Sequence, residues 1–232
     1  MVALVEVNMT NDHIGYRCGA SIVNDRYILT AAHCFEDDDI ASNQKVAIGI
    51  NELKDAKNNL YDVEEIIIHE GWNEKTVAND IALLKLTKPI ANFGSSAIPI
   101  CLPNYRPPVN NLKLTGWGLN NDQDHGGQVS NTLQEIDFAV ISDMRCAREW
   151  STINKVDPTK QICAGKSMHS SCQGDSGGPL TTNVQGKQYQ VGITSFGAPD
   201  CSRDTNRPTV FTRVVAYQEW IFNRISSGIF CL

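Results

Sequence analysis

Short apolar and β-branched runs recur along the 232-residue chain, broken at intervals by Gly, Asn, Asp and Pro. They lie at Val2 to Val7, Ile22 to Leu29, Val46 to Ile50, Val63 to Ile68, Ile81 to Leu86, Leu112 to Trp117, Leu133 to Val140, Tyr189 to Thr194 and Thr209 to Val215. Runs this short, separated by residues that favour turns, predict strands, and so many of them predict an all-β architecture. One segment departs from the pattern. Tyr217, Trp220, Ile221, Arg224 and Ile225 fall at helical spacing with mostly apolar members on one face, which predicts a packing helix over residues 215–227. Between the halves, Pro99-Ile100-Cys101-Leu102-Pro103 and Arg106-Pro107-Pro108 form a proline-rich crossing. Proline has no N–H to give a ladder, so this stretch cannot continue a central strand and reads as the linker. The expected organisation is a single domain over 1–232, with a first half over 1–98, a linker over 99–111 and a second half over 112–214.

Composition narrows the classes. A hydrophobic content of 41% supports sizeable cores, and no apolar run approaches the roughly 20 residues a spanning helix needs, so no membrane partner is expected. A net charge of −6 argues against nucleic acid as a partner, because phosphate backbones reward clustered Lys and Arg. Eight cysteines without a C-x-x-C pair or zinc-spaced histidines point to disulfides, and therefore to an oxidising, extracellular setting. Asn8-Met9-Thr10 is a glycosylation sequon consistent with that setting. Met1 leads straight into Val2-Ala3-Leu4-Val5 with no basic start or cleavage region, so the expectation is that a leading segment precedes this sequence.

Gly174-Asp175-Ser176-Gly177-Gly178-Pro179 carries the strongest chemical signal, since flanking glycines let backbone crowd around one serine hydroxyl. A serine hydroxyl alone is a weak nucleophile and needs a base with an orienting acid. Thr30-Ala31-Ala32-His33-Cys34 offers the imidazole, and Asn79-Asp80-Ile81-Ala82-Leu83-Leu84 offers a carboxylate at the head of an apolar run. His13, His69, His125 and His169 have no comparable setting and read as surface or packing residues.

The chain order His33, Asp80, Ser176, in those three contexts, resembles the chymotrypsin/trypsin family of serine endopeptidases over essentially the whole chain. The resemblance implies two antiparallel β-barrels, a cleft between them and a C-terminal helix, with His33 and Asp80 on the first barrel and Ser176 on the second. It implies that Ser176 attacks a peptide carbonyl, that His33 relays the proton, that Asp80 orients the imidazole, and that the N–H groups of Gly174 and Ser176 hold the oxyanion. It also makes Asp175 the acid that pairs with a freed N-terminal amine in activated members. No Ile-Val-Gly-Gly-like start stands near Met1, so the sequence is expected to be a fragment or zymogen-like.

By the same resemblance Cys18 pairs with Cys34, Cys146 with Cys163, and Cys172 with Cys201. Cys101 and Cys231 remain. Cys101 resembles the position that modular relatives, such as arthropod clip-domain enzymes, bridge to an N-terminal light chain or pro-domain; the alternative is an internal Cys101–Cys231 bridge. In the implied specificity pocket, Ser170 stands where tryptic relatives carry an aspartate, and Ser171, Gly197 and Thr209 supply a neutral floor, an open wall and a narrowing wall. A cationic side chain would be buried there without compensation, so small or medium apolar residues are expected before the scissile bond. Asp200 and Asp204 lie in the neighbouring loop and read as solvated acids, the alternative being that they reach a basic substrate group. Ile50 follows Gly49 where calcium-binding relatives place a carboxylate, so no metal and no cofactor are expected. Peptide or protein substrates and protein protease inhibitors are the expected partners. The rival from another class is a catalytically silent homologue serving as a binding module; such proteins commonly lose the serine, and Ser176 is present.

Overall fold

The computed structural model describes residues 1–8, 13–36, 39–91, 93–95, 97–107, 109, 111–120, 127–166, 171–198, 201, 207–225, 228, 230 and 231. Among them, strands β1 (Val2–Asn8), β2 (His13–Ile22), β3 (Tyr27–Thr30), β4 (Gln44–Ile48), β5 (Leu60–Ile68) and β6 (Ala82–Leu86) close a barrel in the order β1-β2-β3-β6-β5-β4. A second barrel, in the order β10-β11-β12-β9-β8-β7, uses β7 (Leu112–Gly116), β8 (Gln134–Ile141), β9 (Gln161–Gly165), β10 (Pro179–Val184), β11 (Lys187–Phe196) and β12 (Thr209–Arg213). The paired strands are antiparallel, and closure leaves no bare sheet edge.

Burial follows the pleat where one face meets a core. Along β7, Leu112, Leu114 and Gly116 are buried while Lys113 and Thr115 are partly exposed. The Ile22 to Leu29 run is not one strand. The Asn24 side chain accepts hydrogen bonds from the N–H groups of Arg26 and Tyr27 at 2.9 and 2.8 Å, and this side-chain-closed turn separates β2 from β3. Helix α1 (Asp143–Trp150) escaped the periodicity reading. It is eight residues long, capped by Ser142, and buries only Cys146 and Trp150. The terminal helix α2 (Gln218–Arg224) is shorter than the 215–227 expected, because residues 214–217 wind as a 3-10 turn before it. Among the described residues, no helix is long and apolar enough to cross a membrane.

Each barrel has its own core, with Leu4, Ile28, Leu29 and Leu84 in the first and Leu112, Leu180 and Phe211 in the second. Trp220 and Ile221 of α2 join the first core although they follow the second barrel in sequence. Between the barrels, fully buried Trp117 packs among Ala3, Val5, Ala47 and Ile50, and its indole N–H donates to the Asn51 carbonyl at 3.1 Å. Buried Ser21 of β2 also donates to the Gln190 side chain of β11 at 2.6 Å.

The cysteines pair as Cys18–Cys34, Cys146–Cys163, Cys172–Cys201 and Cys101–Cys231. The last pair corrects the expectation of a disulfide to a light chain or pro-domain. The Cα atoms of Cys101 and Cys231 lie 4.8 Å apart, within ordinary bridging range, so the Cys101 sulfur is consumed inside the chain.

Trp117→Ala should cost roughly 3–5 kcal/mol, since it opens a cavity between the barrels and removes one of the two hydrogen bonds to the Asn51 carbonyl, which keeps the Leu133 N–H at 2.8 Å. Denaturant titration followed at both barrels checks this. The expected result is a lower midpoint shared by the two; an unchanged midpoint would contradict the packing role.

Candidate active site

Asp80 sits at the mouth of β6 and is 1% exposed. A carboxylate removed from water in this way needs close donors. Oδ1 accepts from the His33 backbone N–H at 2.9 Å, Oδ2 lies 2.8 Å from the His33 ring Nδ1, and the Ser195 hydroxyl also donates to Oδ2. The Asp80 carbonyl accepts from Thr212 Oγ1 at 2.7 Å. Ser195 reaches across because β11 shifts register against β12 between Thr194 and Phe196, and a bulge there re-aims the side chain. Neither Ser195 nor Thr212 was assigned this role from sequence. Ser195 lies two residues before Gly197, the position expected to leave a pocket wall open, and its hydroxyl carries no sequence signal of its own.

The electrostatics follow from these contacts. Burial pushes the Asp80 carboxyl up, but the His33 charge and the donors from His33 and Ser195 more than reverse that, leaving it below the ordinary carboxylate range. Burial likewise opposes charge on His33, yet the Asp80 charge and hydrogen bond outweigh it and hold the imidazole above its ordinary 6.5. The His33 side chain keeps 27% of its surface exposed, so one edge of the ring faces open space while Nδ1 is held. Cys18, His33 and Cys34 offer donor atoms within 4.8 Å of one another, but the two sulfurs are joined in a disulfide. The cluster therefore clamps the His33 segment and does not present thiolates to a metal.

The Ser176 loop of the second barrel docks on the first barrel beside the Cys18–Cys34 bridge. The Ser176 carbonyl accepts from the Gly19 N–H at 2.7 Å, one residue from the Cys18–Cys34 bridge. Gly177 N–H donates to the Thr194 carbonyl at 2.9 Å, one residue before Ser195. Gly177 has φ +72°, and a Cβ there would collide with Thr30 Oγ1 and the Gly19 carbonyl, so only glycine lets the loop close on the first barrel. Gly174 has φ +93°, and its carbonyl is held by the Tyr16 hydroxyl at 2.6 Å. Asp175, Gly177 and Gly178 N–H groups all bond to carbonyls, whereas among the described residues those of Gly174 and Ser176 have no protein acceptor.

Among the described residues, Asp175 is held by backbone donors alone. Its carboxylate accepts from the N–H groups of Gly118 and Cys172 at 3.0 and 2.9 Å, and a Cβ on Gly118 would lie 2.5 Å from the Asp175 carboxyl carbon. Burial outweighs the two N–H donors and lifts the carboxyl to about 6. Asp175 also lines a cavity of about 290 Å³ with Gly116, Gly118 and Leu119.

Three of the four pocket residues converge. The Ser171 N–H and hydroxyl lie 2.9 and 3.0 Å from Thr209 Oγ1, and a Cβ on Gly197 would stand 3.2 Å from Ser171 Oγ. Ser170 lies outside the described residues, as do His125, His169, Asp200, Asp204 and the Met9-Thr10 part of the sequon.

The Trypsin family pattern matches residues 3–221. A venom peptide isomerase heavy chain from Agelenopsis aperta is 35% identical over 95% of this chain and 92% of its own length. Trypsin-1 from Astacus astacus is 35% identical over 88% and 86%, and CLIP domain-containing serine protease B4 from Anopheles gambiae is 32% identical over 96% and 66%.

The paired charges set a titration. By NMR, the His33 ring should titrate above 6.5. In Asp80→Asn the attracting charge is gone while burial persists, so the midpoint should drop below 6.5. An unchanged midpoint would mean the carboxylate does not govern the imidazole.

Proposed function

Because the chain belongs to the Trypsin family and is a serine endopeptidase, we propose that Ser176, His33 and Asp80 are its nucleophile, general base and orienting carboxylate. The observation that carries this reading is the buried His33–Asp80 hydrogen bond, with Ser195 donating from the second barrel. Since Asp80 holds Nδ1, the other ring nitrogen takes the Ser176 proton as the hydroxyl attacks a peptide carbonyl, then passes it to the leaving amine. The acyl-enzyme is released when water repeats the attack.

The uncommitted N–H groups of Gly174 and Ser176 suit the oxyanion that forms in both steps. Losing one such donor costs roughly 3–4 kcal/mol in the transition state. Ser171, Thr209 and Gly197 bring no charge to the pocket they share, which favours small or medium apolar side chains before the scissile bond. The cavity beside Asp175 suits a primary amine, whose charge would offset the desolvation that lifts this carboxyl. Four disulfides fit extracellular work on peptide or protein substrates, and the cleft that admits an extended substrate suits protein inhibitors of the same shape.

A serine-directed phosphonate should label Ser176 in correctly processed protein and fail on Ser176→Ala. Asp80→Asn should lower kcat on the order of 10⁴-fold. A peptide ester with Leu before the scissile bond should be cleaved at least about tenfold faster than one with Arg. Folded, processed protein that neither labels nor cleaves would favour the silent module.

Asp175 adds a pH signature. A carboxyl raised from 3.8 to about 6 binds more protons folded than unfolded, so its contribution to stability falls as pH rises through that window. The loss is up to roughly 3 kcal/mol, less where water in the adjoining cavity screens the charge. Denaturation across this window should show that decline in the parent chain and not in Asp175→Asn. Parallel curves would refute the assignment.

A further inference from the structure

The second barrel carries another concave site, remote in sequence from His33 and built from different residues. A cavity of about 420 Å³ lies between the proline-rich crossing and strands β8, β9, β11 and β12. Its walls are mainly apolar, from Pro107, Val140, Ile162, Val191 and Val215. Its size falls within the range of small-molecule sites.

Two arginines line it. Arg213, at the end of β12, is 9% exposed, and its Nε and Nη2 donate to the Gln161 carbonyl at 3.2 and 2.9 Å. Among the described residues Nη1 has no protein acceptor, and the nearest carboxylate, Asp143, is 3.7 Å from Nη2 and largely exposed. Arg106 also faces the cavity and has no counterion among the described residues. Burial and the nearby Arg106 charge both pull the Arg213 guanidinium down, with Asp143 only partly opposing them. Two cations against one exposed anion leave the cavity positive within a chain of net charge −6.

This combination selects a ligand chemistry. A cation is repelled. A purely apolar molecule would fill the walls but strand the charge of Arg213 further from water. A bare inorganic anion would meet the arginines but leave the valine and proline surface wet.

We propose that this cavity binds a small apolar monocarboxylate, whose hydrocarbon body fills the proline- and valine-lined space and whose carboxylate pairs with Arg106 and Arg213. Guanidinium and carboxylate match in geometry and charge, and the pairing is strengthened where water is displaced.

The test titrates the full chain with octanoate, octan-1-ol and octylamine, read by calorimetry and by methyl NMR. Octanoate should give saturable shifts at the methyls of Val140, Ile162 and Val191, and octylamine none. Arg106 is exposed, so Arg106→Ala should fold normally and weaken octanoate about tenfold, the scale of one charge-assisted hydrogen bond. Val140→Trp, at an exposed position, should fill the cavity and abolish the shifts. The proposal is overturned if octanoate does not saturate, if octan-1-ol binds as tightly, or if Val140→Trp leaves the binding unchanged.

Discussion

One buried charge organises this molecule. A carboxylate as inaccessible as Asp80 would cost several kcal/mol if left alone, and it would take up a proton instead of remaining an anion. It stays charged because donors reach it from both barrels: His33 from the first, Ser195 from the second, with Thr212 fixing the adjoining carbonyl. No single barrel can assemble that shell. Satisfying one acid therefore demands that β6 and the β11–β12 pair meet in one register, and the Trp117 and Ser21–Gln190 contacts maintain that meeting.

Asp175 shows the opposite balance. Among the described residues it has two backbone donors and no paired cation, so its carboxyl rises while that of Asp80 falls. The difference matters because of where Asp175 sits. Its hydrogen bonds to Gly118 and Cys172 shape the turn that presents the Gly174 and Ser176 N–H groups. An acid as fully compensated as Asp80, beside a loop whose acid is not, leaves one half of the candidate site rigid and the other with an energy that depends on a further charge. The first half suits preorganised chemistry; the second suits control of when the donor loop is stable.

Much of this was legible in the sequence, for identifiable reasons. Strands with a continuous apolar face, such as β6 and β7, announced themselves by hydrophobic runs. β2, β9 and β10 did not, because small or polar residues interrupt their apolar positions, as Gly15, Arg17 and Gly19 do in β2, Gln161 and Gly165 in β9, and Thr181, Thr182 and Asn183 in β10. Their strand state comes from barrel closure, which supplies hydrogen-bond partners that no local pattern encodes. The His33–Asp80 pair was readable from motif context, since both residues sit in distinctive surroundings. Ser195 was not, because its role depends on a bulge, and a single register shift leaves little trace in composition. The partner of Cys101 was undecidable for the same reason: pairing is a matter of three-dimensional approach, and residues 130 apart in sequence carry no local sign of it.

The way the chain ends bears on how still the site can be. After completing the second barrel it returns to the first, where Trp220 and Ile221 enter the core. The Tyr217 hydroxyl donates to the Asn79 side chain at 3.1 Å, one residue before Asp80. The Cys101–Cys231 bridge then ties the crossing between barrels to the last residues. The first barrel is thus held by a segment that follows the second in sequence, and drawing that segment away would expose α2's apolar face as well as the interface itself. Hinge opening is expensive in such an arrangement, so the two barrels keep one fixed relation around the buried His33–Asp80 pair.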